Sequence, residues 1–137
     1  MSKELEEGSR LALDFAKIAK IATTCQDSIP VAVQHADTRE VILVAYTNEL
    51  AMRKAFAERR LILWSTSRNE LWEKGKTSGE TFDLLEAYVN CEQNSLLYVV
   101  RPKRGGICHT RNAKGEPRNC YYRRIDLDSL ALTHVDR

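Results

Sequence analysis

The stretch "TFDLLEAYVNCEQNSLLYVVR", residues 81–101, contains two apolar runs on either side of the polar segment "EQNS". Both runs are rich in Leu, Val and Tyr, which favour strands, and the short polar connection is typical of a tight turn. The stretch therefore predicts a β-hairpin. Cys91 ends its first strand, so this hairpin also presents a thiol at a turn.

Further strands are predicted on both sides of this hairpin. "VAVQHADTREVILVAY", residues 31–46, indicates two strands around a turn at 37–39; "LILWS" (61–65) and "CYYRRI" (120–125) indicate one each. Asn48 is a good N-cap for a short helix through about Glu58, and apolar spacing over residues 4–22 predicts an amphipathic N-terminal helix. Residues 66–80 lack periodicity and are expected to form a loop. We expect a β-rich α+β fold.

Composition is that of one soluble globular domain. The 137 residues are 43% hydrophobic and 29% charged, and we treat 1–137 as one domain with an extension at 1–27 and a core at 28–125. No apolar run is long enough for a membrane helix, and the charged N-terminus is unlike a secretory signal. We therefore expect a cytoplasmic protein that binds neither membrane nor nucleic acid. Residues 101–124 hold eight Lys or Arg and one acid, which would favour a phosphate-bearing partner.

Four cysteines in a reducing compartment favour metal ligands or buried thiols over disulfides. Cys25 has few candidate ligands nearby and is predicted to be a small buried side chain. Cys91, Cys108 and Cys120 could leave one coordination position of a zinc ion (Zn2+) open, as catalytic sites do. Buried thiols remain the alternative. His109 could be a fourth ligand, a general base or a surface loop histidine.

The segment "WSTSRNELWEKGKTSG", residues 64–79, combines hydroxyls, cations and glycines, and we call it the signature loop. Glycine allows close backbone approach, and hydroxyls with N–H groups bind phosphate oxygens. The segment lacks the Walker pattern, so either a phosphate loop or a polar surface loop fits. Trp64 and Trp72 could each stack on a base or pack in the core, and core packing is expected for at least one of them. The candidate binding residues of the segment are Trp64, Ser65, Ser67, Arg68, Lys74, Thr77, Ser78 and Gly79.

The chain resembles the phosphoribosyl-AMP cyclohydrolase family over about residues 28–125. The resemblance lies in "AYTNELA" (45–51), the signature loop, "VNCEQNSLLYVV" (89–100), and "GGICHT" with "NCYY" around Cys108 and Cys120. It implies an intertwined homodimer with a β-rich pseudo-barrel of mixed or antiparallel strands. It also implies hydrolytic opening of the N1–C6 bond of phosphoribosyl-AMP in histidine biosynthesis.

The same resemblance assigns roles to residues. Cys91, Cys108 and Cys120, drawn from both subunits, correspond to the zinc ligands, and His109 corresponds to the general base. Zinc in such a site activates water as a nucleophile. The signature loop and nearby basic residues, among them Arg118, would hold the substrate phosphates.

One motif departs from the family pattern. The family carries Asp-Cys-Asp-x-Asp around the first zinc cysteine, where the aspartates bind magnesium (Mg2+), whereas this chain has Asn90, Glu92 and Asn94 around Cys91. A site with one carboxylate should bind magnesium weakly. The departure leaves two alternatives beside the authentic cyclohydrolase: a divergent paralogue that acts on another purine or heterocycle, and a non-catalytic zinc- or nucleotide-binding protein.

Overall fold

A computed structural model describes residues 3–76, 79, 81–103 and 119–135. Its elements, numbered in chain order, are listed here with their bounds: helices α1 (Lys3–Glu7), α2 (Lys17–Thr24) and α3 (Glu49–Glu58), and strands β1 (Ile29–His35), β2 (Val41–Thr47), β3 (Ile62–Ser65), β4 (Glu70–Glu73), β5 (Phe82–Val89), β6 (Leu96–Pro102), β7 (Arg123–Ile125) and β8 (Leu132–His134). The predicted α+β class, rich in strands, is confirmed. None of these helices is long and apolar enough to cross a membrane.

A four-stranded mixed sheet in the order β2-β1-β6-β5 forms the centre of the fold. The predicted hairpin is confirmed, because β5 and β6 pair antiparallel with Val89 opposite Leu96. The second hairpin, β1 with β2, is also confirmed. The two hairpins join through a parallel pairing of β1 with β6, in which Val31 lies opposite Leu96. This arrangement makes β2 and β5 the two edges of the sheet.

The core lies between this sheet, α3 and β3. Its buried side chains are apolar: Val31, Val33, Ile42, Leu43, Ala55, Leu61, Ile62, Leu63, Phe82, Leu84, Tyr98 and Val100. The alternation of β1 explains part of the set, since Val31 and Val33 point to the same face of the strand. Phe56 of α3 meets Tyr98 with ring centroids 6.0 Å apart. The core thus holds α3 against the central strands.

The cap of α3 follows the prediction. Asn48 is extended, and its Oδ1 accepts a hydrogen bond from the N–H of Ala51 at 3.0 Å. This bond satisfies one of the donors that a helix leaves unpaired at its start. The helix ends at Glu58, where Arg59 adopts a left-handed conformation with φ of 57°. The "AYTN" sequence therefore connects β2 directly to α3.

The predicted N-terminal helix over 4–22 is wrong as a single element. The chain forms two short helices instead, and α1 ends just before Gly8, whose N–H donates to the carbonyl oxygen of Glu4. Glycine and serine at 8–9 are poor helix formers, which explains the break. The N-terminal segment packs against the end of the chain, because the hydroxyl of Tyr122 donates to the carbonyl oxygen of Glu6.

Three other local predictions need correction. The predicted loop 66–80 contains β4, which forms an antiparallel hairpin with β3. The predicted strand at 120–125 is shorter, since β7 begins at Arg123, and the weakly patterned tail contains β8 paired with it. In the described part of the chain, the strands form one four-stranded sheet and two two-stranded sheets, with no closed barrel.

Candidate active site

The signature loop and β2 form a pocket of about 450 Å3. Its lining combines aromatic rings, hydroxyls and cations: Lys17, Val44, Ala45, Tyr46, Trp64, Ser65, Thr66, Ser67, Arg68 and Trp72. No Asp or Glu occurs among these lining residues. The pocket therefore has the chemistry to hold a flat ring system with anionic substituents.

The β3–β4 hairpin gives the signature loop its shape. The Oγ of Ser65 accepts hydrogen bonds from the backbone N–H of Arg68 at 3.3 Å and from Arg68 Nε at 3.4 Å. The hydroxyls of Ser65 and Ser67 lie 3.4 Å apart. Arg68 Nε also lies 3.4 Å from Glu70 in an exposed ion pair. These contacts bring two hydroxyls and a guanidinium together at the turn.

Asn69 connects this turn to the N-terminal part of the chain. Its backbone is left-handed, with φ of 54°, a conformation that Asn tolerates better than most residues. Its Oδ1 accepts hydrogen bonds from the indole N–H of Trp64 at 3.1 Å and from the thiol of Cys25 at 3.2 Å. Cys25 is 3% exposed, which confirms the predicted buried thiol. The thiol thus fixes the loop rather than serving as a free nucleophile.

The predicted phosphate loop is brought together only in part. Trp64, Ser65, Ser67 and Arg68 all line the pocket. Lys74 is not among the described lining residues. Its Nζ lies 5.7 Å from the ring centroid of Trp72, and Trp72 does line the pocket. Gly79 has a φ of 80° and is likewise absent from the lining. Thr77, Ser78 and Arg118 lie outside the described residues.

Sequence reasoning missed several lining residues. Tyr46 and its neighbours on β2 belong to the "AYTNELA" motif, and Thr66 lies within the signature loop, so a motif-based search could have included them. Lys17 lies in α2, far from both motifs along the chain. No signal in the sequence connects Lys17 with the pocket, because that contact depends on how α2 packs.

A network of side-chain amides closes the turn that carries Cys91. Asn90 Oδ1 accepts hydrogen bonds from the backbone N–H groups of Asn94 at 2.9 Å and Ser95 at 3.0 Å. Asn90 Nδ2 donates to Asn94 Oδ1 at 2.6 Å, and Asn94 Nδ2 donates to Glu92 Oε2 at 3.2 Å. Asn90, Glu92 and Asn94 thus each have a side-chain oxygen that accepts a hydrogen bond from within the turn.

This donor set does not fit magnesium. The ion prefers an octahedral set of oxygens that includes carboxylates and water. Here Glu92 offers the only carboxylate of the three residues, and the Asn90 oxygen already accepts two backbone hydrogen bonds. The amide network fills the structural role that a cation between carboxylates could otherwise take.

Cys91 lies at one corner of the central sheet. It follows the end of β5 in the turn to β6, beyond the pairing of Val89 with Leu96. Leu96 in turn pairs with Val31 near the start of β1. Cys91 is therefore beside the end of the sheet at which β1 and β6 begin. Its side chain is exposed.

Cys120 lies at the opposite corner. Its backbone N–H donates to the carbonyl oxygen of Ile42 at 3.1 Å, near the start of the edge strand β2. The adjacent Asn119 is 2% exposed, and its Nδ2 donates to the carbonyl oxygen of Val41 at 3.0 Å. Val41 pairs with Gln34 near the end of β1, so this is the other end of the sheet. Hydrogen bonds to β2 thus fix the backbone beside Cys120.

The two thiols are too far apart to share an ion within one chain. Three strand spacings of about 4.8 Å separate β2 from β5, which is about 14 Å before the offset along the strands is added. Two sulfurs on one zinc ion are at most about 4.6 Å apart, twice the zinc–sulfur distance.

Thiols are nonetheless ligands that zinc prefers, and both Cys91 and Cys120 are exposed. Their chemistry therefore fits a zinc ion, although their separation within one chain does not. Cys108 and His109, the other predicted members of the site, lie outside the described residues. A zinc site that uses Cys91 and Cys120 would therefore require a second copy of the chain.

Comparison with known proteins identifies the class. The model of the family described as phosphoribosyl-AMP cyclohydrolase matches residues 43–122. A phosphoribosyl-AMP cyclohydrolase from Hyphomonas neptunium is 40% identical over 105 residues, which cover 77% of this chain and 76% of the relative. One from Caulobacter vibrioides is 41% identical over 125 residues, which cover 90% and 80%. The histidine biosynthesis bifunctional protein HisIE of Aquifex aeolicus is 40% identical over 98 residues, which cover 72% and 45%.

The matches define the protein as an enzyme of the cyclohydrolase class. The matched segment contains most of the pocket, the turn of Cys91 and the segment of Cys120. The chain belongs to the phosphoribosyl-AMP cyclohydrolase family.

Proposed function

We propose that this protein hydrolyses phosphoribosyl-AMP in histidine biosynthesis by breaking the N1–C6 bond of the purine ring. The observation that carries the proposal is the pocket that the signature loop forms with β2, within a chain of this family. Water adds its oxygen to C6, the N1–C6 bond breaks, and N1 takes up a proton. The product therefore retains both phosphates and the opened ring.

The pocket supports a substrate with one ring system and two phosphates. Trp64 and Trp72 offer aromatic faces on which a purine can stack. Arg68 and the hydroxyls of Ser65 and Ser67 offer hydrogen-bond donors for a phosphate. Lys74, Thr77, Ser78, Gly79 and Arg118 are proposed as further phosphate contacts around the same pocket.

Zinc would be held by Cys91 of one subunit together with Cys108 and Cys120 of the other. When bound there, it supplies a Lewis acid that makes water a nucleophile at neutral pH. His109 is proposed to take the proton from the attacking water. The separation of Cys91 and Cys120 in one chain supports this division of the ligands between two subunits.

A homodimer is also supported by the second half of the edge strand β5, beyond the bridge that pairs Asp83 with Arg60. Leu85, Tyr88 and Val89 on this edge strand are 41%, 53% and 55% exposed. An apolar strand edge of this kind is usually covered by another chain or element. We propose that a second copy covers it, that the intertwined dimer completes the pseudo-barrel, and that residues 28–125 form the core of each subunit and 1–27 its extension.

Magnesium has no step in this proposal, because the amide network occupies the turn at Cys91. That same network favours a second candidate function. If the lost carboxylates also contribute to substrate choice, the protein would be a paralogue that performs the same hydrolysis on another purine or related heterocycle. A purely binding role is less well supported, since the chain belongs to an enzyme family.

The test is a turnover assay with purified, zinc-loaded protein. Ring opening of phosphoribosyl-AMP is followed by ultraviolet absorbance, and AMP, which lacks the ribosyl group on N1, serves as the control substrate. We expect turnover of phosphoribosyl-AMP without added magnesium and none of AMP. Zinc-loaded protein that leaves phosphoribosyl-AMP unchanged would refute the proposal and favour the paralogue.

A further inference from the structure

One cation in the pocket comes from outside the family-matched segment. Nine of the ten lining residues lie on β2, β3, β4 or the turn between the last two, but Lys17 is the first residue of α2. Lys17 lies before residues 43–122, which the family model matches, in the N-terminal part of the chain. Its side chain is half-buried against the pocket rather than free in solvent.

The packing of α2 explains how Lys17 reaches this position. Lys17, Ile21 and Cys25 follow one another at four-residue intervals, so they lie along one face of the helix. Ile21 and Cys25 are both buried, at 7% and 3% exposure. The Cys25 thiol also lies 3.7 Å from the carbonyl oxygen of Thr66 in the signature loop. This face therefore rests on the loop, with Lys17 at the end nearest the pocket mouth.

The charge of Lys17 is available to a ligand. Among the described residues, Lys17 takes part in no ion pair. The nearby carboxylate of Asp14 forms its ion pair with Lys20, at 3.2 Å, and the hydrogen bond from Lys20 is the main cause that lowers the pKa of Asp14; Lys17 adds only a weaker attraction. Lys17 and Arg68 thus place two cations in a pocket whose described lining has no carboxylate, and the one carboxylate paired with Arg68, that of Glu70, is exposed and outside the lining. Two cations with neighbouring hydroxyls form an anion site.

We propose that Lys17 binds a phosphate group of the substrate, so that the N-terminal extension completes the binding pocket of this enzyme. The proposal rests on the proposed function for the identity of the substrate. Its physical content, an anion site formed by Lys17 and the signature loop, does not depend on turnover. Lys17 acts through binding alone, because nothing places it at the reacting ring.

The experiment compares Lys17→Gln, Lys17→Arg and the matched control Lys20→Gln, which removes a lysine of the same helix that faces Asp14. All three should keep the circular dichroism spectrum of the wild type. With phosphoribosyl-AMP, Lys17→Gln should raise KM about tenfold, as the loss of one charge-assisted hydrogen bond predicts, with kcat nearly unchanged. Lys17→Arg and Lys20→Gln should behave as the wild type does. A wild-type KM in Lys17→Gln would overturn the proposal.

A second readout separates this proposal from the proposed function. The only two tryptophans of the chain, Trp64 and Trp72, both line the pocket, so their fluorescence can report binding of inorganic pyrophosphate without any turnover. We expect pyrophosphate to bind the wild type and Lys20→Gln, and to bind Lys17→Gln about tenfold more weakly. Equal affinities, or no binding to the wild type, would overturn the role of Lys17 whether or not phosphoribosyl-AMP is the substrate.

Discussion

Cys91 and Cys120 lie at opposite corners of one four-stranded sheet, Cys91 beyond the end of β5 and Cys120 beside the start of β2. Both are exposed. The backbone near Cys91 is held by the hydrogen bonds of the amide network. The backbone at Cys120 is held by hydrogen bonds to the carbonyl oxygens of Val41 and Ile42. Two thiols on segments held this far apart can share an ion only if another copy of the chain supplies one of them.

The zinc content of cysteine variants tests the ligand assignment. Cys91→Ser and Cys120→Ser should each lose most of their zinc, because three thiolates bind the ion far more tightly than two. Cys25→Ser is the matched control: its thiol is buried against Asn69, so zinc should remain at the wild-type level. Elemental analysis after dialysis measures the ratio of zinc to protein. Full zinc in Cys91→Ser would contradict the assignment.

Magnesium should not change the Tm of the wild type, but it should raise the Tm of a variant whose turn at Cys91 carries more carboxylates. The double change Asn90→Asp with Asn94→Asp removes the bond from Asn90 Nδ2 to Asn94 Oδ1 and places three carboxylates together. Their repulsion should lower Tm, and added magnesium should restore it by binding the folded state. Gln93→Glu adds one charge to the same turn without touching the network, and should show little response. If magnesium did not raise the Tm of the double variant, the proposal that the amide network replaces a magnesium site would be refuted.

Asn69 should act as a positioning residue for the pocket. Asn69→Ala removes the acceptor of both Trp64 and Cys25 and places alanine in a left-handed conformation, so it should cost about 2 kcal/mol of unfolding free energy and raise KM several-fold. Asn69→Asp keeps an acceptor oxygen for the same two donors and should preserve the unfolding free energy, although its negative charge beside a phosphate pocket should raise KM. Thermal denaturation and steady-state kinetics measure the two effects. If both variants lowered the unfolding free energy equally, the acceptor would not be what positions the loop.

Tyr98 should make the fold sensitive to alkali. Burial raises the pKa of Tyr98 to about 12, whereas an exposed tyrosine in the unfolded chain titrates near its ordinary value of about 10. The neutral phenol therefore stabilises the folded state fully below about pH 10, and this contribution is lost as pH rises towards about 12. Unfolding free energy should fall more steeply over that range in the wild type than in Tyr98→Phe. Parallel curves for the two proteins would contradict this.

Local patterns predicted much of the fold. The apolar runs that form β1, β2, β5 and β6 are distinct, and Asn48 marks the start of α3. The strand β4 was missed because "ELWE" has two acids and becomes a strand only through its pairing with β3. The apolar spacing over residues 4–22 predicts one helix, but Gly8 and Ser9 interrupt it and the chain forms α1 and α2 instead.

The site was less predictable than the fold. The signature loop identified Trp64, Ser65, Ser67 and Arg68 by residue type and spacing, and the structure places them together. Lys17 could not be found this way, since its position depends on long-range contacts of Cys25. The separation of Cys91 from Cys120 likewise follows from the parallel pairing of β1 with β6, which no local pattern encodes.

In the proposed dimer, each active site combines Cys91 of one subunit with Cys120 of the other. The most direct test coexpresses differently tagged Cys91→Ser and Cys120→Ser chains, purifies the mixed dimer, and measures turnover of phosphoribosyl-AMP. Each variant alone should be inactive. In the mixed dimer, one site loses both cysteines and the other keeps both, so activity should return to about half of the wild-type value. A mixed dimer as inactive as its parents would show that the site is not shared between chains.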